Sequence, residues 1–177
     1  MSNFDNFFMD KVNENIIIEK VRKWIENPDF SIEDVQDPDM PPDTIVIHIK
    51  GLSEKDYFGN QKEIQYFIAF LSDIEQLQIS TYFYFDKSAA TGFIVLPTDK
   101  KIIFANAMKI PLLTLGLGYM WIPDLHNIES LQMSKMLYYD GFSRNAFEDA
   151  RERVLNGYEI VSARYEEFVN SIHGQKR

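Results

Sequence analysis

Few side chains in this 177-residue chain have the type and spacing that chemistry needs. Three histidines are present, His48, His126 and His173, and there is no cysteine. No pair at His-x-x-x-His or Glu-x-x-His spacing offers a metal site, so no metal is expected. The lack of cysteine removes disulfides, thiolate ligands and cysteine nucleophiles together. Asp37, Asp39 and Asp43 crowd one loop, but a calcium loop needs a central glycine and a closing glutamate where this segment has Pro38, Pro41 and Pro42. Gly116-Leu-Gly118-Tyr-Met-Trp121 begins like a dinucleotide fingerprint. Its last position is tryptophan, which would fill the space that glycine leaves for helix–strand packing. No Gly-x-Ser-x-Gly elbow and no phosphate loop ending in Gly-Lys-Ser/Thr occurs. Glu148, Glu152, Glu159 and Glu166 mix with Arg144, Arg151, Arg153 and Arg164, the pattern of a solvated helix face laced with weak ion pairs. An enzyme is therefore the lesser expectation, and no catalytic residue or cofactor is assigned.

The stronger hint is apolar. Leu117, Tyr119, Met120, Trp121 and Ile122 stand in a segment broken by glycine and proline. Such a loop either presents its side chains to a protein partner, where tryptophan, tyrosine and methionine are enriched, or folds them back onto the core. Phe4, Phe7, Phe8 and Met9 pose the same choice between docking and fraying. The alternative from another class is a small-molecule binder or enzyme with a pocket under the 110–123 loop.

The formal net charge is −9. It is concentrated: residues 1–43 hold 11 acidic and 4 basic side chains, while 44–125 and 126–177 hold 8 and 7 each. A phosphate backbone or an anionic lipid surface would be repelled, so neither nucleic acid nor membrane is an expected partner. The start lacks a basic region ahead of an apolar core, and the longest uncharged run, Ile110 to Pro123, is too short for a span of about 20 apolar residues. A soluble, cytoplasmic protein is expected. The length suits a single domain, 1–177, with a sizeable core.

The elements that must carry these residues follow from periodicity. Ile17, Val21, Trp24 and Ile25 predict a helix over about 13–26, closed by Asn27-Pro28. Phe30 to Ile32 can start a strand. Residues 44–50 alternate, with Ile45, Ile47 and Ile49 on one face and His48 on the wetter one. Ile64, Phe67, Ile68, Leu71 and Ile74 fit a helix capped by Asn60, and the same residues tolerate a strand. Residues 78–86 alternate again, with Tyr82 and Tyr84 opposite Ile79, Thr81, Phe83 and Phe85. Phe93 to Leu96, a turn at Pro97-Thr98-Asp99-Lys100, and Lys101 to Phe104 predict a hairpin. A short helix or turn over Leu112 to Leu117 and an irregular loop follow. Leu131 to Tyr139 reads as a strand, then a long helix to about His173. Phe147, Ala150, Val154, Tyr158, Val161, Tyr165, Phe168 and Ile172 form its apolar face. Ser143 is its N-cap, and Phe142 can staple onto Phe147. Gly157 lies inside it and marks a close approach, and Gly174 suits its C-terminal end. The fold class is α+β, a mainly antiparallel sheet with an N-terminal helix and a long C-terminal helix.

The ending Met136-Leu-Tyr-Tyr-Asp140-Gly-Phe-Ser-Arg-Asn-Ala-Phe147 resembles domains of the type III secretion chaperone-like fold, especially uncharacterised archaeal and YbjN-like members. In those, an apolar strand passes through Asp-Gly-apolar-Ser/Thr into a final helix. Ile18 to Ile25 looks like their first helix, and 93–104 like one of their hairpins; 51–77 and 107–130 match nothing in them. The resemblance implies a non-enzymatic, often dimeric, protein-binding module, and carries over no functional residue. The expected function is thus a protein-interaction module, chaperone-like, taking an apolar segment of an unidentified protein, and a homodimer is expected.

Overall fold

A computed structural model describes residues 3–36, 44–52, 63–85, 93, 96–125 and 128–174. The chain order is α1 (Asn3–Ile25), β1 (Phe30–Val35), β2 (Ile45–Leu52), β3 (Glu63–Leu71), a 3-10 turn (Ser72–Ile74) and β4 (Gln76–Tyr84). Then come α2 (Thr98–Thr114), β5 (Gly118–Ile122), β6 (Ser130–Tyr138) and α3 (Arg144–Gly174). The six strands form one antiparallel sheet in the order β1-β2-β3-β4-β6-β5, so the α+β class holds, with an N-terminal and a long C-terminal helix. The aspartate–proline loop, Asn60, His126 and two of the proposed hairpin residues (Ile94 and Val95) lie outside the described residues, as do the side chains of Phe4, Phe7, Phe8, Met9, Ile172 and His173.

Contacts divide the chain into two compact units, Met1–Ile79 with Met136–Ala150, and Ser80–Lys135 with Arg151–Arg177. In the first, β2 pairs with β1 and β3, Ile47 opposing Asp34 on one side and Ile68 on the other. Ile47, Ile49, Ile68 and Phe70 are fully enclosed. The segment 63–71 is thus a strand and not a helix. Tyr66, Ile68 and Phe70 alternate inward and eight cross-strand partners on β2 satisfy its backbone, which outweighs the helical spacing of Ile64, Phe67 and Leu71. Helix α1 turns Ile17, Ile18, Val21 and Ile25 inward. Trp24 stacks on Phe142 at 5.4 Å and meets Phe147 at 5.8 Å. Gly141, at φ 73°, makes the left-handed turn out of β6. The Ser143 hydroxyl then accepts from the Ala146 amide, and Phe142 reaches Phe147 across the cap, as the sequence predicts.

The second unit holds an aromatic cluster. Phe104 meets Phe168 at 4.5 Å, Phe93 at 5.0 Å, Trp121 at 5.9 Å and Phe85 at 6.0 Å. Phe83 and Phe85 both pack on Tyr165, at 5.4 and 5.2 Å. The hairpin expected over 93–104 is absent: residues 98–114 are the helix α2. Phe104, Met108 and Leu112, each four residues apart, are enclosed on one face of it. That burial decides against the strand-like look of Ile102-Ile103-Phe104.

Gly157 explains itself here. A Cβ on it would lie 2.6 Å from Leu117 Cδ1 and 3.2 Å from Leu112 Cδ2. Both leucines are enclosed, so neither end can swing away into water. Gly157→Val should lower unfolding stability by about 1–3 kcal/mol through overpacking, a better helix propensity returning only tenths. Glu152→Ala, on the exposed face, should stay within about 0.5 kcal/mol. Urea unfolding of both variants checks this, and equal midpoints would contradict the close approach.

Candidate functional site

The site is built by α2 and the strand after it. Pro97 presets the entry, its carbonyl accepting the Lys101 amide at 3.1 Å, and Asp99 in the first turn favours the positive end of the helix. The exit is a double closure. Gly116, at φ 68°, donates to the Leu113 carbonyl, and the Leu117 amide donates to the Leu112 carbonyl, each at 3.0 Å. This is the Schellman arrangement, completed by the two buried leucines at its ends. Arg153 donates to the Leu115 carbonyl and Lys135 to the Gly116 carbonyl, so cations neutralise the negative end.

With one face of α2 held inward, the helical period dictates what faces out. Ile102 (50% exposed), Ile103 (61%), Ile110 (64%) and Leu113 (53%) fall within an arc of about 100° on the opposite side. Asn106 and Lys109 are exposed beside them. A helix apolar on both faces is ordinarily buried on both. Half-exposed side chains of this size each leave on the order of 100 Å² in water, so the four together match the largest apolar patch of an ordinary monomer, which is often functional.

The residues singled out from the sequence separate. Leu117 is 2% exposed and belongs to the core. Trp121 is half-buried, its ring 5.9 Å from Phe104 and 6.4 Å from Phe85. Tyr119 and Ile122 are half-buried, and Met120 alone is open, at 54%. These residues sit mostly on a strand, β5, at the sheet's end beside β6, where an irregular loop was expected. Sequence reading missed the α2 stripe because it assigned Ile102 and Ile103 to a hairpin arm. The signal that could have found it is the four-residue spacing of Phe104, Met108 and Leu112 ahead of Gly116.

The polar alternatives lie in the first unit. The His48 ring stacks on Phe67 at 4.5 Å, and its Nε2 is enclosed with no hydrogen-bond partner. The Tyr139 hydroxyl is likewise enclosed without a partner. Burial first, then the charges of Glu14 and Glu75, push its ionisation well above the usual tyrosine range. Glu14 accepts the Ser72 hydroxyl at 2.6 Å, and the Glu75 carbonyl accepts the Tyr139 amide at 2.9 Å. Among the described residues no group of three or more histidines, aspartates and glutamates is placed to hold a metal ion, and no helix is long and apolar enough to cross a membrane.

No family model and no curated protein matches the chain. Its fold is similar to that of an uncharacterised protein from Methanothermobacter thermautotrophicus, at TM-score 0.62 and 15% identity over 85% of this chain and 97% of that one. At that identity the likeness speaks for the fold alone.

Tyr139 gives a pH-dependent test. Its folded ionisation lies above the unfolded value near 10, so the neutral phenol stabilises the fold fully below about pH 10 and loses that contribution as pH rises further. Tyr139→Phe removes an enclosed hydroxyl without a partner, so stability at pH 7 should hold or rise. The variant should lose less stability than the parent between about pH 9 and 11. Denaturant titrations across that range check it, and parallel pH curves would contradict it.

Proposed function

We propose that this chain is a non-enzymatic protein-interaction module of the cytoplasm, chaperone-like in taking an apolar segment of a protein. The observation that carries this reading is the exposed apolar stripe of α2, Ile102, Ile103, Ile110 and Leu113, opposite a face already filled by the core. Keeping four large aliphatic side chains in water is unfavourable, and a partner that covers them recovers that free energy. The strand–Gly141–Ser143–helix ending, which resembles the type III secretion chaperone-like domains, supports the same reading. The hairpin half of that resemblance does not, since 98–114 is helical.

The test is binding of a labelled amphipathic peptide with leucines three and four residues apart, followed by fluorescence anisotropy. The double substitution Ile103→Glu/Ile110→Glu should weaken binding at least about tenfold, because carboxylates would be desolvated against leucine. Tyr138→Glu, at an exposed position on β6, should leave it unchanged. Equal binding by all three proteins, or none by the parent, would contradict the reading.

A further inference from the structure

We infer that the outer face of β4, β6 and β5 in the second unit binds a neutral glycan whose ring hydroxyls lie equatorial. The site is separate from the α2 stripe, and its ligand is of another class.

Alternation along the strands sets this face. Phe83, Leu131 and Met133 turn inward and are enclosed. Trp121 opposes Leu131 and Tyr119 opposes Met133, so both share that inner side. Tyr82, Tyr84, Gln132 and Met120 point the other way, with Met120 directly opposite Gln132. Within the second unit the remaining outward positions are Ser80, Ser130, Ser134, Gly118 and Ile122. None of these residues is charged. A solvated face of this size, in a chain 25% charged, would ordinarily carry about two charges. The outer face in the first unit does carry them, with Glu33 opposite His48 and Lys50 paired to Glu63 at 2.8 Å.

The groups on this face decide what it takes. Tyr82 and Tyr84 stack at 6.2 Å with 23° between their rings. Tyr84 stays 63% exposed, so its ring face turned away from Tyr82 is open to water. Gln132 Nε2 donates to the Tyr82 hydroxyl at 2.9 Å, which holds both side chains and leaves the amide oxygen to accept from a ligand. Gly118 keeps the Ser134 hydroxyl uncovered, since a Cβ there would lie 3.2 Å from Ser134 Oγ. An anionic ligand, nucleic acid included, finds no cation here. An apolar segment would bury the amide and the hydroxyls without partners. A neutral glycan avoids both costs. Its equatorial hydroxyls reach sideways to the amide and the serine. Its ring face presents C–H bonds, which lie well on the negative face of an aromatic ring.

The probe is cellohexaose, a β-1,4-glucan with every ring substituent equatorial, titrated into the full chain and followed by backbone amide NMR. Amides of residues 80–84, 118–122 and 130–134 should shift together, with a dissociation constant of about 1 mM or tighter. Raising salt from about 0.05 to 0.5 M should change that constant less than about twofold, since no ion pair forms. Tyr84→Ala, at a position open enough to tolerate truncation, should weaken binding at least about fivefold. Gln132→Leu should weaken it by a similar factor; should that variant fail to fold, Tyr84→Ala decides. Glu152→Ala, exposed on α3, should bind as the parent does. Absence of shifts up to about 10 mM cellohexaose overturns the inference, as does unchanged binding by Tyr84→Ala. Shifts at the same strands with the amphipathic leucine peptide and not with cellohexaose assign the face to a protein segment and overturn it as well. The α2 variants test the protein-binding reading separately, so either can fail alone.

Discussion

Enclosure of the Phe104 ring is the contact on which the second unit depends. Four aromatic rings converge on it, from Phe85, Phe93, Trp121 and Phe168, and leave it 2% exposed. That enclosure fixes the rotation of α2 about its own axis. Met108 and Leu112 then follow inward one and two turns on, and the Gly116 closure delivers Leu117 into the same space, against Gly157. Each of these contacts assumes the others, which is how a packed core holds one arrangement and excludes neighbouring ones.

The outward stripe is a consequence of the same constraint. A helix of fixed rotation cannot bury residues 102, 103, 110 and 113 as well as 104, 108 and 112. Lysines on the outer side would have made a soluble surface at no cost to the core. The chain has isoleucine and leucine there, in a protein otherwise acidic enough to keep copies apart at long range.

How much of this was legible in the sequence depends on whether local and long-range demands agree. In α3 they do: Ser143, the Phe142–Phe147 staple, the apolar face from Phe147 to Val161 and the close approach at Gly157 all read directly from the residues. At α2 they conflict. Ile102-Ile103-Phe104 is a β-branched and aromatic run, and Pro97-Thr98-Asp99-Lys100 serves a hairpin turn as well as a helix start. Only the enclosure of Phe104 by distant residues settles the matter. The same holds for β3, whose helical spacing gives way to pairing with β2. The residues of the expected aromatic site divide between interior and surface for a related reason. Tryptophan and leucine suit interiors as well as interfaces, and here the core takes Leu117 and most of Trp121, leaving Met120 outside.

The central claim is that the outer α2 isoleucines are open in the free chain and are covered when it takes an apolar segment. Methyl NMR with a soluble gadolinium chelate reads both states on one sample series. The account predicts strong broadening of the Ile102, Ile103 and Ile110 methyls at high dilution, with Ile79 and Ile128 spared. It predicts that those three signals recover together as the amphipathic peptide is added. Broadening unchanged at saturating peptide would contradict covering by an apolar segment, and protection without peptide would contradict the open stripe itself.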